Sequence, residues 1–391
     1  MAQLHEAATL ASGGLDDFGS NDYVPGLEVL LDSLESEAAL TVPGAQEIHG
    51  VVLGALIGRL TSEAGWKTVP AHTEVPIRQP IFVTGLARSG TTAIHRLLAA
   101  DPGHQALEMF LGVAPQPRPP REEWTQNPAF TALDARLRTG LQGTAEGRAI
   151  HFLSAELPDE CHLLTGQSFL ANSFPSVAHV PSYVDWLADQ DWTGAMQRHR
   201  RNLQLIGSTS PEKRWVLKNP GHLRALDGIL AAYPDAIVIQ MHRDPKQTIA
   251  SVASVIQYFE GHTSPLQNGA ALGRFQLEMF ARDAETFLVA RERHDPKHIV
   301  DIYYPDFVAD PVGTVEGFYL DLGLPYNQGV RRALEEEYRV STTGDRAPRH
   351  ACSLADFGLT AEEVDERFAV YLDAHPSVVR PRTDWERSNH G

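Results

Sequence analysis

The segment GLARSGTTAIHRLL, residues 85–98, carries the strongest structural pattern in the chain. Before it, IRQPIFVTGL is a short run rich in β-branched residues; from its two threonines, TTAIHRLLAADP has helical periodicity and stops at Asp101-Pro102-Gly103. The pattern predicts a strand, a glycine-bearing loop and a helix. Such a loop presents backbone N–H groups and the positive end of a helix, which together bind an anionic phosphate or sulfate.

This loop differs at one position from the phosphate loop of nucleoside-triphosphate enzymes. That loop reads GxxxxGK[ST], with a lysine for the outer phosphates and a Ser or Thr for magnesium. Here Gly85 and Gly90 have the matching spacing, but Thr91 stands in place of the lysine, and Arg88 is the nearby cation. We therefore expect a donor whose phosphate needs positive charge but no magnesium. A plain glycine-rich turn is the alternative.

The composition narrows the class of protein. The chain has 391 residues, of which 42% are hydrophobic, so it can bury a large core. It has 33 basic and 50 acidic residues, a net charge of −17, and no long basic run, which argues against nucleic-acid binding. Two widely spaced cysteines, the missing basic and apolar leader and the short apolar runs predict a cytoplasmic protein without a membrane span.

Three further buried-strand patterns follow the loop, with helical patterns between them. They are RWVLKNP at 214–220, AIVIQMHRDP at 236–245 and HIVDIYYPDF at 298–307. Strands that alternate with helices predict an α/β fold with a central parallel sheet flanked by helices. In such a fold ligands bind at the carboxyl ends of the strands, where the loop lies.

The rest of the chain is predicted to be helical or irregular. Residues 1–77 read as a helical extension packed on a core at 78–325, and 326–391 as a helical C-terminal segment. Within the core, residues 104–210 show no regular strand period and are interpreted as helices and a long loop over the sheet. They form either an acceptor pocket or plain packing. The aromatic residues that suit both roles are Phe169, Phe174, Tyr183, Trp186 and Trp192.

A second anion signal lies in MHRDPKQTIASVASV, residues 241–255. Asp244 is a good N-cap and Pro245 a good first helical residue, so Arg243 stands where a strand ends and a helix begins. An arginine there can bind a phosphate through two N–H groups or pair with a carboxylate. Its position alone favours Thr248, near the start of the helix, as its hydroxyl partner.

Three motifs in this order resemble the sulfotransferases that use 3′-phosphoadenosine 5′-phosphosulfate (PAPS). They are RSGTT after a strand, LKNP on a middle strand, and HRDP with a serine eight residues beyond its arginine. The stretches GLDDFGSNDYVPGLEVLLDSL, ALEMFLGVAPQP and HACSLADFGL are similar to a bacterial branch of that family. Within that branch, the loop is close to the PRSGTT of tyrosylprotein sulfotransferases.

The resemblance implies where the donor binds. The residues implied to surround the 5′ phosphosulfate are Arg88, Ser89, Gly90, Thr91 and Thr92. Arg243 and Ser251 are implied to hold the 3′ phosphate, which replaces Thr248 as the expected hydroxyl. Tyr304 matches the tyrosine that touches adenine in cytosolic members. Ala93 stands where those members have a tryptophan that stacks on adenine, so the rest of the adenine pocket departs from the family pattern.

The resemblance also bears on the chemistry. Lys218 matches the family lysine near the bridging oxygen of the donor; the alternative is a surface or ion-paired lysine. Cytosolic members use a histidine two residues later as the base, and Pro220 replaces it here. Tyrosylprotein sulfotransferases use a glutamate after the first helix, and Glu108 lies in comparable territory, with His222 as the rival base.

The sequence thus predicts an enzyme that moves a sulfuryl group from PAPS to a hydroxyl, less readily an amine, of a small-molecule acceptor. The second product is adenosine 3′,5′-bisphosphate. One rival is a small-molecule kinase, which needs ATP and magnesium, and another is a nucleotide-binding protein without catalysis. None of the 17 histidines lies in an HExxH motif, so no metal is expected.

Overall fold

The computed structural model of the chain describes residues 1–150, 152–265, 268–343 and 352–379. Its centre is one sheet of five parallel strands in the order β2-β3-β1-β4-β5. The strands are β1 (Ile81–Gly85), β2 (His104–Ala106), β3 (Arg214–Lys218), β4 (Ile237–His242) and β5 (Ile299–Tyr303). The predicted α/β fold is confirmed, and the carboxyl ends of all five strands meet at one edge.

Helices cover both faces of this sheet. In the described ranges they are α1 (Ala2–Ala11), α2 (Val24–Ser36), α3 (Val42–Thr68), α4 (Thr91–Ala99), α5 (Met109–Val113), α6 (Pro128–Thr139), α7 (Ala145–Ile150), α8 (His162–Thr165), α9 (Pro181–Ala188), α10 (Thr193–Ile206), α11 (Leu226–Ala232), α12 (Pro245–Thr263), α13 (Gly269–Arg291), α14 (Tyr304–Ala309), α15 (Pro311–Asp321), α16 (Gln328–Ser341), α17 (Ala361–Arg367) and α18 (Ala369–Ala374). Among them, none combines the length and the apolar character that crossing a membrane requires.

The two faces of the sheet bury different cores because successive side chains of a strand point to opposite faces. On one face, Val83 and Val216 pack beneath α4, α15 and α16. On the other face, Phe82 and Trp215 join the larger core, which also takes in helices from the N-terminal part of the chain. The face on which a side chain lies therefore decides which groups it can meet at the carboxyl edge.

Strand β2 was not predicted from the sequence. It lies at the start of the 104–210 region, which shows no strand period, and pairs with β3 from His104 opposite Arg214 to Ala106 opposite Val216. Three residues are too few for an alternating pattern to appear. The strand exists because β3 offers an edge for it to pair with, which is a tertiary contact.

The N-terminal helices are tied to the core by a buried arginine on α3. The guanidinium of Arg59 is fully buried and donates hydrogen bonds to the carbonyl oxygens of Phe18, Ser20 and Gln167. Asp22 supplies the opposite charge at 2.5 Å. A buried charge needs both a counter-charge and hydrogen bonds, and this cluster supplies them by joining α3 to residues 18–22 and, through Gln167, to the inserted region.

The aromatic residues of the inserted region belong to the core. Phe169, Phe174, Tyr183 and Trp192 are at most 4% exposed, and Trp186 is partly buried. The rings of Phe169 and Phe174 stack with centroids 5.5 Å apart. The ring centroid of Tyr23, from the N-terminal part of the chain, lies 6.2 Å from that of Phe169. Of the two roles left open by the sequence, these residues fill the packing role.

Glu260 on α12 makes stability depend on pH. It is 6% exposed, and its Oε1 atom has no hydrogen-bond partner among the described residues. Burial raises its pKa to about 7, from 4.5 in an unfolded chain. The folded protein holds this proton more tightly, so the stabilisation is complete below pH 4.5 and is lost as the pH rises to about 7.

We predict that the free energy of unfolding of Glu260→Gln at pH 8 exceeds that of the unaltered protein by up to about 3 kcal/mol. This difference should narrow towards pH 5. The amide keeps the shape of the side chain and carries no charge at either pH. Urea unfolding at both pH values measures the gap. The exposed Glu362 on α17 provides the control variant, Glu362→Gln. A gap that is equal at both pH values contradicts the prediction.

Candidate active site

The loop between β1 and α4 bends through two residues with positive φ, Arg88 at 70° and Gly90 at 95°. Gly90 caps α4, whose first two residues are Thr91 and Thr92. The N–H groups at the start of a helix have no acceptor within that helix. The loop therefore gathers backbone donors and the positive end of α4 at the carboxyl edge of the sheet.

The base of this loop requires glycine and buries a hydroxyl group. Gly85 has φ 141°, and a Cβ there would lie 2.4 Å from the carbonyl oxygen of Met241 on β4. Ser89 is fully buried beside it, and its Oγ has no hydrogen-bond partner among the described residues. A buried hydroxyl without a partner costs free energy, so Ser89 is a donor suited to a ligand at the loop.

Two arginines meet at this loop. The Nε of Arg88 donates to the Oγ of Ser251 on α12 at 3.1 Å, and Arg243 donates from Nη1 to the carbonyl oxygen of Arg88 at 2.8 Å. The guanidinium of Arg243 lies over the ring of Tyr304, 4.1 Å from its centroid. Tyr304 also packs on the loop, because a Cβ on Gly90 would be 3.0 Å from its ring. Residues from three strand ends thus converge.

The charge of this pair is not neutralised within the described part of the chain, where neither Arg88 nor Arg243 forms an ion pair with a carboxylate. Burial, and then the neighbouring Arg243, lower the pKa of Arg88. The second of these effects is repulsion between two like charges. An anion bound between the two guanidinium groups relieves that repulsion and gains charge-assisted hydrogen bonds.

The start of α12 is as the sequence predicts. The side chain of Asp244 accepts a hydrogen bond from the N–H of Lys246 at 3.0 Å, and Pro245 is the first helical residue. Thr248 is buried, and its hydroxyl donates to the carbonyl oxygen of Pro245 at 3.1 Å. Its hydrogen bond is therefore made inside the helix, whereas Ser251 is the hydroxyl that contacts Arg88.

Lys218, the last residue of β3, is buried and forms an ion pair with Glu160. Burial alone acts to raise the pKa of Glu160, but Lys218 and then His162 hold that pKa well below its usual range. Nδ1 of His162 lies 3.4 Å from the second carboxylate oxygen. The lysine also borders a cleft of about 20 Å³ together with Thr92 and Arg96 of α4, so it lies beside the helix that follows the loop.

The chain places Glu160 beside Lys218 by inserting a segment between two strand ends. The N–H of Asp159 donates to the carbonyl oxygen of Leu107 at 2.8 Å, and the N–H of Cys161 donates to that of Lys218 at 2.9 Å. Residues 157–161 therefore run between the ends of β2 and β3 and lengthen the edge of the sheet. Glu160 is held by backbone bonds on both sides.

Glu108 lies on the other side of the sheet. Its carboxylate accepts hydrogen bonds from Nη2 of Arg118 at 2.9 Å and from Nε at 3.1 Å. The same guanidinium lies over the ring of Trp215, 5.3 Å from its centroid. Trp215 and Lys218 are three residues apart on β3, so their side chains leave opposite faces. Burial raises the pKa of Glu108, which the nearby Arg118 opposes.

His222 is fully buried behind β3. Its ring packs edge-on against Phe82 at 5.2 Å, and neither ring nitrogen has a hydrogen-bond partner among the described residues. Burial holds its pKa well below the usual range, so the ring is neutral. A base must come within hydrogen-bond distance of the group it deprotonates, and an acceptor reaches His222 only if the surrounding core opens.

His242, Asp301 and His375 bring three metal-type ligand atoms within 4.8 Å of one another. The sequence did not suggest this cluster because its members lie on β4, on β5 and beyond α18. Two of the three already have other partners: Asp301 accepts two hydrogen bonds from Arg291, and His242 bonds Asp301 and Tyr371. Nε2 of His375 has no hydrogen-bond partner among the described residues. The cluster thus ties the C-terminal segment to the sheet.

The sheet and the loop after β1 lie within a segment that matches a known family. Residues 80–328 match the model of the sulfotransferase family. The chain belongs to this family. It is therefore an enzyme of the sulfotransferase class, and the bacterial branch indicated by the sequence is supported by the relatives described next.

Two crystal structures from mycobacteria are similar over almost their whole length. Sulfotransferase STF1 from Mycobacterium tuberculosis is 46% identical, with a TM-score of 0.86, over 95% of this chain and 98% of that chain. Sulfotransferase STF9 from Mycobacterium avium is 26% identical, with a TM-score of 0.86, over 95% and 96%. The omega-hydroxy-beta-dihydromenaquinone-9 sulfotransferase Stf3 of Mycobacterium bovis is 24% identical over 259 residues, which is 63% of each chain.

Within this sulfotransferase, the structure brings together most of the residues singled out from the sequence. The loop 88–92, Arg243, Ser251 and Tyr304 form one group, and Lys218 lies at the near end of α4. Glu108 and His222 lie apart from that group. Ala93 is exposed beside the loop, so nothing bulky stands at that position. The sequence did not predict Glu160, because no motif marks it and only the insertion beside β3 gives it a partner.

We predict that Gly85→Ala destabilises the enzyme by about 2 to 5 kcal/mol, because the methyl group meets the Met241 carbonyl and φ is positive. Gly54→Ala on α3 is the matched control, since a Cβ there meets nothing within 4 Å. It should leave stability unchanged or raise it by up to about 1 kcal/mol. Urea unfolding of both variants measures the difference, and equal midpoints contradict the prediction.

Proposed function

We propose that this sulfotransferase moves the sulfuryl group of PAPS to a hydroxyl group, less readily an amine, of a small-molecule acceptor. The observation that carries the proposal is the meeting of Arg88 and Arg243 at the amino end of α4, without a carboxylate partner in the described residues. PAPS carries negative charge at both its phosphosulfate and its 3′ phosphate. Two cations and a helix end at one site match such a ligand.

The proposed donor site divides between two anionic groups. The loop amides of residues 88–92 and the buried hydroxyl of Ser89 would bind the 5′ phosphosulfate. Arg243 and Ser251 would bind the 3′ phosphate, since both already contact Arg88. Tyr304, which is stacked on Arg243, would contact the adenine. The exposed Ala93 leaves the other side of the ring open.

The proposed reaction passes the sulfuryl group in line from the departing phosphate to the acceptor oxygen. Positioning and stabilisation of charge supply most of the catalysis, as in phosphoryl transfer. Lys218 would stabilise the charge that develops on the bridging oxygen. A base must also take the acceptor proton, for which the sequence offers Glu108 and His222 and the structure adds Glu160.

We propose that the acceptor is an apolar alcohol. The cleft beside Lys218 is lined by Phe152, Leu153, Leu157 and Pro158, which would contact an apolar chain or ring next to the reacting hydroxyl. A relative with 24% identity is named for an omega-hydroxylated dihydromenaquinone. That name supports the class of acceptor, an alcohol on an apolar molecule, and not a particular compound.

Calorimetric titration with adenosine 3′,5′-bisphosphate tests the donor. We expect micromolar binding that needs no magnesium and falls at least about a hundredfold in Arg243→Ala, because a charge-assisted, two-pronged contact is lost. Arg136→Ala removes an exposed arginine from α6 and should bind normally. Magnesium-dependent binding of ATP, with no response to the bisphosphate, would favour a kinase and contradict the proposal.

Substitutions of Ser251 and Thr248 test which of the two hydroxyl groups acts with Arg243. We predict that Ser251→Ala weakens bisphosphate binding about tenfold, the worth of one hydrogen bond to a charged group. Thr248→Val removes a hydroxyl of the same helix that bonds only within it, and binding should stay near the unaltered value. The same titration measures both. The reverse order of effects would restore Thr248 as the partner.

A further inference from the structure

We infer that Glu160 is the base that takes the acceptor proton, and that Lys218 holds it until the donor binds. This inference rests on the proposed function. The carboxylate of Glu160 accepts a hydrogen bond from Nζ of Lys218, the residue proposed to stabilise the departing phosphate. No other carboxylate pairs with Lys218 among the described residues.

The backbone places this carboxylate rigidly. Asp159 bonds the end of β2 and Cys161 bonds the end of β3, so the position between them has little freedom. The side chain of Glu160 is 20% exposed, whereas that of Lys218 is 4% exposed. The lysine therefore approaches from inside the sheet and the glutamate stands nearer to solvent, on the side from which an acceptor would arrive.

The neighbouring cleft supports the same assignment. Its lining comes from α4, from Lys218 and from the inserted segment, through Ser154, Leu157, Pro158 and Asp159. Its volume of about 20 Å³ suits little more than one water molecule, so an acceptor must widen it. A group entering beside Lys218 would come between the amino end of α4 and the segment that carries Glu160.

The two rival bases are placed less well. The carboxylate of Glu108 is bound by Arg118 over Trp215, on the face of the sheet opposite Lys218. His222 is fully buried against Phe82, so no acceptor reaches it without opening the core. Glu160 is the one of these three groups that contacts a residue of the proposed transfer site.

The transfer needs only the donor, the acceptor and the side chains of Glu160 and Lys218. The acceptor oxygen attacks sulfur and forms the new S–O bond while its proton passes to the carboxylate of Glu160. The S–O bond to the phosphate breaks, and its electron pair stays on the phosphate oxygen beside the ammonium of Lys218. Glu160 then releases the proton to solvent. The products are the sulfate ester and adenosine 3′,5′-bisphosphate, and no other reactant is needed.

Binding of the donor would change the partner of Lys218. A phosphate oxygen that draws the ammonium away leaves Glu160 without its counter-charge, which raises the basicity of the carboxylate when it is needed. The other titratable groups that face Glu160 are His162 on α8, His95 on α4 and His222 behind β3. The two buried rings, His95 and His222, are neutral because burial lowers their pKa.

Calorimetry tests the exchange without an acceptor. Adenosine 3′,5′-bisphosphate is titrated at pH 6 in buffers of different ionisation enthalpy, which gives the protons taken up on binding. We expect the unaltered enzyme and Glu156→Gln, a control from the same segment with an exposed ion pair, to take up more protons than Glu160→Gln. Equal uptake in all three overturns the inference. Failure of the unaltered enzyme to bind the bisphosphate overturns the donor proposal instead.

Reverse transfer from aryl sulfates to the bisphosphate tests the base itself. Glu160 would then protonate the leaving phenol, which matters for phenyl sulfate and little for 4-nitrophenyl sulfate. We expect Glu160→Gln to lower kcat about a hundredfold or more with the phenyl ester and only a few-fold with the nitrophenyl ester. A loss that is equal for both esters, or a larger dependence on the ester in Glu108→Gln, overturns the inference.

Glu160→Asp shows whether a loss of activity in Glu160→Gln comes from the missing carboxylate or from a folding defect. It keeps a carboxylate and the ion pair, so we expect it to restore part of the activity with phenyl sulfate and the uptake of protons. Thermal unfolding of each variant shows whether the fold is kept. If Glu160→Asp is folded and is as inactive as Glu160→Gln while both still bind the bisphosphate, a proton-transfer role is excluded.

Discussion

Two guanidinium groups held against one helix end are the constraint on which the rest of the site depends. Arg88 comes from the loop after β1 and Arg243 from the end of β4, and a hydrogen bond from Arg243 to the backbone of Arg88 joins them. Their repulsion is tolerated because Ser251 and Tyr304 bind the side chains from α12 and α14. β1 and β4 approach each other closely at Gly85, and this approach brings Arg88 and Arg243 together at the ends of the two strands. A glycine in the backbone therefore affects how close the two charges lie.

Lys218, at the end of the neighbouring strand β3, differs from the two arginines because it has a carboxylate partner. Leaving its buried ammonium group without that partner would cost about 3–5 kcal/mol. The proposed donor site thus combines two cations without a carboxylate in the described residues and one cation that is neutralised. In our proposal the first pair attracts the donor and the second cation becomes available only when a phosphate replaces Glu160. Affinity and the timing of proton transfer then come from two strand ends with different electrostatic surroundings.

Much of the fold could be predicted from the sequence because its signals are local. The four longer strands, the cap of α12 by Asp244 and the glycine-bearing loop each follow from a few adjacent residues. Strand β2 escaped prediction because three residues show no alternation. The aromatic residues of the inserted region show a related limit, since composition does not tell a pocket from a core, and burial against Tyr23 decided it. The proposed donor residues were predictable because they lie in recognisable motifs.

The sequence by itself determined the α/β class through alternating strand and helix patterns, and the sulfotransferase family through three motifs in order. The glycine-bearing loop without a lysine and the two arginines each follow from one short segment. Only the tertiary structure decided which carboxylate meets Lys218. Glu108 and Glu160 are both acidic residues in the inserted region; the family resemblance points to Glu108, and no motif marks Glu160. The path of residues 157–161 between β2 and β3 puts Glu160 beside Lys218, while Arg118 holds Glu108 on the opposite face. Which face a side chain occupies depends on strand pairing between segments distant in the sequence, and no local pattern records that pairing.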